Sequence, residues 1–389
     1  MGDTRALNVH NVLTYGGNLR FNKFDLSLAP SEKSRTEGGV YVQDEIFVNN
    51  YVRLVLGARV DKFTSIADPV FSPRASLVLK PANDQTFRVS YNRAFRAPSM
   101  INNALDVTIA TPLPLAVVNQ ALQGARLPAL FSNSAYFLVP TRATGNTDLK
   151  EEFIDAYEVS YTGKVGPRAL FTAAWYLTKM DQEIFFTVKE NYGLTTPPPG
   201  WTSMAGWSAL GPAGPVVAGQ VWGGIQNVAK FPKEYTYLNL GKVENQGIEL
   251  GLNVDAGNTT NAINYSYQSQ PKPDFPGFTA ADALKEINLP SKHRFNVSHA
   301  GSVVGLFYST DVSYASKAYW QDVLDSRFSG ETPDYTMWNM LVGKRFNHDK
   351  VTFQIRANNL TNKPIQQHIF GDVLKRSLMF ELKINAPKK

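Results

Sequence analysis

The 389-residue chain contains no cysteine. That removes any disulfide framework and any thiolate-ligated metal centre from consideration. Histidine is also scarce, with five residues, and no two stand at a spacing that suggests a zinc site. Long apolar runs are missing too. The longest candidate, "ALFTAAWYL" at 169–177, is half of the roughly 18 residues that a helix needs to cross a bilayer, and it contains a threonine. The first residues, "MGDTRALNVHNVL", show no basic head followed by an apolar stretch, so no signal peptide is legible there. Charge is nearly balanced: the formal net charge of +6 is spread along the chain and makes no specific case for nucleic acid.

Catalytic signatures are equally sparse. No Gly-x-Ser-x-Gly elbow, phosphate-binding loop or dinucleotide fingerprint follows a strand-like segment. Asp44 and Glu45 are neighbours on an extended segment, so they face opposite ways and cannot act as an acid/base pair. His299, Asp311 and Ser313 invite a triad reading that nothing else supports. The sequons at Asn258, Asn296 and Asn359 fall in or beside strand-like segments and read as chance. The expectation is a non-enzyme without a cofactor or metal.

What is abundant is aromatic side chains, at 12% of residues, and a period of two. In "VRLVLGARVD" (52–61), Val52, Leu54, Leu56, Ala58 and Val60 oppose Arg53, Val55, Gly57, Arg59 and Asp61. Successive side chains of a strand point to opposite faces, so the segment has one apolar face and one largely polar face. The same alternation runs through 74–80, 87–92, 157–162, 171–178, 247–254 and 378–384. About 14 such segments are present, each near the 9–11 residues of a tilted membrane strand. Helical spacing is not sustained anywhere apart from a short turn at "TAADALKEI" (279–287).

The connectors alternate in length. Short turns fall at Asn49-Asn50, 81–84, 164–167, 255–260, 301–305 and 346–350, with long links at 99–151, 180–235, 269–291 and 316–334 between them. Short turns at one end and long loops at the other characterise outer-membrane barrels. An even strand count also puts both chain ends on the short-turn side. The expected fold is therefore an all-β antiparallel transmembrane barrel, its apolar face toward lipid and its charged face toward a wet interior. Closure satisfies the backbone without an edge. A soluble sandwich or propeller with one buried face remains the alternative.

Several stretches then resemble a known family. "YVQDEIFVNNYVRLVLGARVDKF" (41–63), "FSPRASLVLKP" (71–81) and "FRVSYNRAFRAPS" (87–99) are similar to the barrel of TonB-dependent outer-membrane receptors. "TGNTDLKEEFIDAYEVSY" (144–161), "VENQGIELGL" (243–252) and "IRANNLTNKPI" (355–365) resemble further landmarks, in family order over most of residues 36–384. The resemblance implies a barrel of about 22 strands around an N-terminal plug. Against it, the chain carries about 14 strands with neither plug nor signal peptide, and it runs past Phe380 into "ELKINAPKK" instead of closing on an aromatic residue. Residues 1–389 are thus expected to be a single domain, the C-terminal portion of such a barrel.

The family implies an outer-membrane location in a Gram-negative-type bacterium and uptake of a scarce ligand: an iron–siderophore, a cobalamin or a glycan. Its implied partners are membrane lipid, a plug domain, the TonB energy-transducing complex and the barrel assembly machinery. A self-contained 14-stranded diffusion channel and a soluble or surface carbohydrate-binding β-protein are the competing functions.

Two sets of residues are candidates for function. On the inward positions of successive strands stand Arg53, Arg59, Arg74, Arg88 and Arg96, which either attract an anionic ligand or plug carboxylates, or pair with neighbouring acids such as Glu45, Asp61 and Glu158. In the long links, Trp201, Trp207 and Trp222 lie among Pro and Gly, with Tyr319 and Trp320 in "AYWQD" and His368 in "QQHIFGD". Aromatic loops on a rigid scaffold are where ligand contacts are expected, and packing between loops is the alternative.

Overall fold

The computed structural model describes residues 1–321, 329–347 and 350–385. The expected turn at 346–350 lies partly outside these residues, and the tail after Asn385 and Asp322 of "AYWQD" lie outside them.

One long antiparallel sheet dominates. From its first edge it runs β1 (Gly2–Ala6), β2 (Asn11–Lys23), β3 (Ser34–Phe47), β4 (Val52–Phe63), β5 (Val70–Ala82) and β6 (Gln85–Arg96). Next come β9 (Glu152–Val165), β10 (Ala169–Asp181), β13 (Lys242–Ala256) and β14 (Thr259–Gln268). It continues through β16 (His293–Val303), β17 (Leu306–Ala315), β20 (Tyr335–Phe346), β21 (Val351–Asn358) and β22 (Ser377–Ile384). A short β15 (Lys272–Asp274) adds to β13. Among the described residues the sheet does not close, and β1 and β22 are its two edges.

The alternating pattern is realised strand by strand. Register pairs Val42 with Ala58, Leu56 with Ala75, Leu77 with Val89, and Val89 with Val159. Cross-strand partners share a face, so the apolar positions form one continuous outer surface. Leu56, Val89, Val159, Trp175, Ile248, Phe295 and Trp338 on this surface are all exposed. A face so apolar and so exposed suits contact with lipid. The opposite face carries Arg53, Ser76, Arg88, Glu158, Thr172, Asn264 and Asn339. Turn chemistry fits the short ends: Asp84, Gly166 and Gly257 take left-handed φ values of 58°, 68° and 66°.

Two expectations need correction. The even strand count overlooked β1, whose Gly2 pairs with Gly16 halfway along β2, so Met1 lies partway up the wall and not at the short-turn end. Helices are also more extensive than the expected turn at 279–287, which is present as α4 (Ala280–Ala283) followed by a 3-10 turn. Over the long links stand α1 (Met100–Ala104), α2 (Leu115–Gly124) and the 16-residue α3 (Gly214–Ala229).

The links after β6 and β10 fold together into a cap. Its sheet runs β11 (Ile184–Asn191), β12 (Pro232–Asn239), β8 (Tyr136–Thr144), β7 (Asp106–Pro114), with β12 and β8 parallel. Between Glu190 and Lys230 the cap has no Asp, Glu, Lys, Arg or His. That uncharged stretch wraps a core of Leu115, Val118, Leu122, Val139, Trp201, Trp207, Trp222 and Ile225. Elsewhere β18 (Ala318–Trp320) and β19 (Gly330–Thr332) form a small hairpin at the same end of the wall.

Candidate functional site

The inward arginines behave mainly as a cross-strand network. Arg59 makes a fork onto Asp61 at 2.5 and 2.6 Å and reaches Asn18 at 2.6 Å. Arg88 pairs with Glu158, and Arg53 lies 3.4 Å from Glu45. Arg96 pairs with Glu152, a link across the base of the 99–151 loop. Arg74 has no ion pair or hydrogen bond among the described residues, and it lies over the bare backbone of Gly57. Each exposed pair is worth no more than about 1 kcal/mol, so their value lies in fixing the wall's inner surface.

The three loop tryptophans do not meet a ligand surface. Trp201, Trp207 and Trp222 are 0%, 1% and 0% exposed. Their indole N–H groups donate to Ala218 O at 2.7 Å, Trp201 O at 2.8 Å and Gly193 O at 3.0 Å. Trp201 packs against Trp207 and Trp222 with ring centroids 5.8 and 5.4 Å apart. With rings buried and N–H groups satisfied, these residues are the cap's core and have no free atom for a ligand.

Tyr319, Trp320 and His368 do come together. Tyr319 of β18 is tied to the 269–291 link through reciprocal backbone bonds with Leu289, each 2.9 Å. His368, from the link before β22, sets its ring 4.2 Å from Trp320, with Phe370 5.8 Å beyond. Tyr319 and Trp320 line a recess of about 700 Å³ at the long-loop end of the wall. Arg294 and Asn296 from β16, Tyr335 and Met337 from β20, and Gln367 are among its other lining residues. Gln367 donates to the Tyr335 hydroxyl at 2.9 Å.

Two features of the recess are chemically open. The Trp320 Nε1–H is buried without an acceptor, and Arg294 has no ion pair or hydrogen bond among the described residues. An unsatisfied buried donor costs about 1–3 kcal/mol, which an incoming acceptor recovers. Aromatic faces, one free guanidinium and one free indole N–H suit a ring-bearing or anionic ligand. Sequence reasoning missed Arg294, Tyr335 and Gln367. Arg294 was within reach of it, because it occupies an inward position of the alternating 293–303 segment.

At the junction of cap and wall, Glu152 Oε1 accepts from the Ile184 amide at 2.5 Å. Beside it lies Glu183, with one buried carboxylate oxygen unpartnered. Burial, helped by the Glu152 charge and opposed by Arg96, pushes the Glu183 carboxyl up to about 7.

The triad reading of His299, Asp311 and Ser313 fails on geometry. His299 shares the outer face with Tyr308, which lies 3.0 Å from its Nε2, whereas Asp311 and Ser313 are on the inner face. Among the described residues no group of three or more His, Asp or Glu is placed to hold a metal ion.

Residues 3–360 match the family model described as TonB dependent receptor-like, beta-barrel. No curated protein matches the chain. Among solved structures, the siderophore receptor PirA from Acinetobacter baumannii is similar at 15% identity with a TM-score of 0.67, over 98% of this chain and 53% of that one. The ferric enterobactin receptor PfeA from Pseudomonas aeruginosa is 14% identical with a TM-score of 0.61, over 93% of this chain and 48% of that one. The FrpB iron transporter from Neisseria meningitidis is 14% identical with a TM-score of 0.61, over 98% of this chain and 53% of that one. At these identities the likeness is one of fold, and the chain spans about half the length of the solved receptors it matches.

Proposed function

The chain belongs to the family of TonB-dependent receptor-like β-barrels, and on that premise we propose that it supplies barrel wall and outer loops to an outer-membrane receptor for a scarce ligand, an iron–siderophore foremost. In this reading residues 1–389 are one barrel domain, the C-terminal portion of a barrel of about 22 strands. A plug domain and the TonB energy-transducing complex complete the receptor, and the barrel assembly machinery inserts it in a Gram-negative-type outer membrane. The work is binding followed by passage, with no covalent step.

The observation that carries the proposal is the recess of Tyr319, Trp320 and Arg294, with His368 against Trp320, at the long-loop end of a wall whose other face is apolar and exposed. A ligand seated there contacts the wall and two outer links at once. The open Nε1–H and guanidinium offer donors to an anionic chelate. The cap stands at the same end, where it narrows access from outside.

The test is uptake of radiolabelled ferric siderophores by iron-starved cells that express the full coding region in place of their own receptors. The expected result is uptake that requires TonB and that falls at least tenfold in Trp320→Ala. Uptake that persists without TonB would contradict active transport and favour a passive pore.

A further inference from the structure

A second recess, independent of the ligand-uptake reading, lies at the opposite, short-turn end of the wall. It has a volume of about 450 Å³ and is bounded by the turn before β2, the β3–β4 turn and the end of β5. Arg53 and Lys80 line it together with His10, Phe47, Asn49 and Tyr51, and its lining contains no carboxylate.

Its polar atoms are almost all donors. Arg53 rests with its guanidinium 5.9 Å from the Phe47 ring centroid, and its Nε–H is buried with no acceptor. The nearest anion, Glu45, is 3.4 Å from another nitrogen of the same group. The Lys80 side chain has no ion pair or hydrogen bond among the described residues. The Asn49 side-chain oxygen already accepts from the Tyr51 and Val52 amides at 2.8 and 2.9 Å, which leaves its NH₂ group as the free end. His10 Nδ1 lies 2.9 Å from the Phe47 carbonyl and so carries the proton, leaving Nε2 as the other polar atom of the ring. Two permanent cations, an amide NH₂ and an imidazole therefore surround a space with nothing negative in its lining. A guanidinium whose Nε–H has no acceptor suits a carboxylate, and Lys80 beside an Arg53 held by Glu45 at 3.4 Å attracts it more than either cation alone.

We propose that this recess is a carboxylate-binding site, with Arg53 and Lys80 as its cationic anchors and His10 at its rim. The carboxylate comes either from a small polycarboxylate or from an acidic side chain of a polypeptide. The two sources share one chemistry and differ in how many further contacts they make.

Imidazole NMR of the histidine-labelled product of the full coding region in detergent micelles tests this, with the His10 signal assigned through His10→Asn. Citrate is titrated first, with sodium chloride at matched ionic strength as the control. The His10 signal is expected to shift and saturate with citrate alone. Arg53→Gln should weaken the midpoint by about tenfold or more, Lys80→Gln should weaken it less, and Arg53→Lys should recover part of the loss. If Arg53→Gln does not fold, Lys80→Gln against wild type carries the comparison. A short Glu-rich peptide that saturates well below citrate assigns the source to a polypeptide, and citrate as tight as the peptide or tighter assigns it to a small anion. No saturable shift with either ligand, or equal midpoints in wild type and both charge variants, overturns the proposal.

Discussion

Tyr176 lies directly over Gly247 on the inner face of the wall, so close that a Cβ at Gly247 would meet its Oη at 2.5 Å and its Cζ at 2.6 Å. The two are cross-strand partners of β10 and β13. The ring and the backbone carbonyl of Tyr267 on β14 together occupy the space a side chain would need.

Gly247→Ala should therefore destabilise the β10–β13 pair by about 1–3 kcal/mol, the usual penalty of overpacking. Heat-modifiability of the folded band on gels reads this as a lower transition temperature. Tyr176→Ala in the same background should recover only part of the loss, because the contact with the ring is removed while that with the Tyr267 carbonyl stays.

Trp222 and Trp320 should separate stability from binding. Trp222→Ala empties the cap core and should cost about 3–5 kcal/mol locally, seen as rapid proteolysis between 192 and 231 with the wall still intact. Trp320→Ala leaves the cap untouched and should abolish saturable ligand quenching of tryptophan fluorescence. Equal proteolysis of both variants would contradict this division.

The junction carboxylate makes cap docking depend on pH. The Glu183 carboxyl is raised to about 7 in the folded chain from an ordinary value near 4.5. A raised carboxyl favours the folded state while protonated, so docking is strongest below about pH 4.5 and weakens as pH rises through 7. Glu183→Gln should be insensitive across that window and should resist proteolysis at pH 8 better than wild type. The measurement is cleavage rate of the cap against pH. A wild-type rate that falls between pH 5 and 8 would reverse the sign and refute the assignment.

The wall was largely legible in the sequence. A period of two on a strand leaves no freedom about which residues share a face, so Arg53, Arg59 and Arg88 and their acids Glu45, Asp61 and Glu158 could be named before any coordinates. The cap was not. Its strands β8 and β12 pair Glu234 with Arg142 across a long stretch of chain, a contact with no local signature. In α3, Ala218, Trp222 and Ile225 do follow helical spacing, but Gly219, Gly223 and Gly224 lower its intrinsic propensity. Tertiary burial of Trp222 overrides that. The same burial turned three expected ligand contacts into a core. The recess around Trp320 is assembled from four separate segments, so Tyr319 and Trp320 stood out by composition while Arg294 and Tyr335 did not.

One face of this wall is built for lipid and the other for water. The absence of native cysteine makes it directly measurable. Single substitutions Ile248→Cys, Leu250→Cys and Leu252→Cys on the outer face, and Glu249→Cys and Asn253→Cys on the inner, are treated with a membrane-impermeant maleimide in outer membranes from cells expressing the full coding region. Residues 249 and 253 are expected to be labelled while 248, 250 and 252 stay protected until detergent is added. Uniform labelling along β13, or labelling of the apolar positions instead, would contradict it.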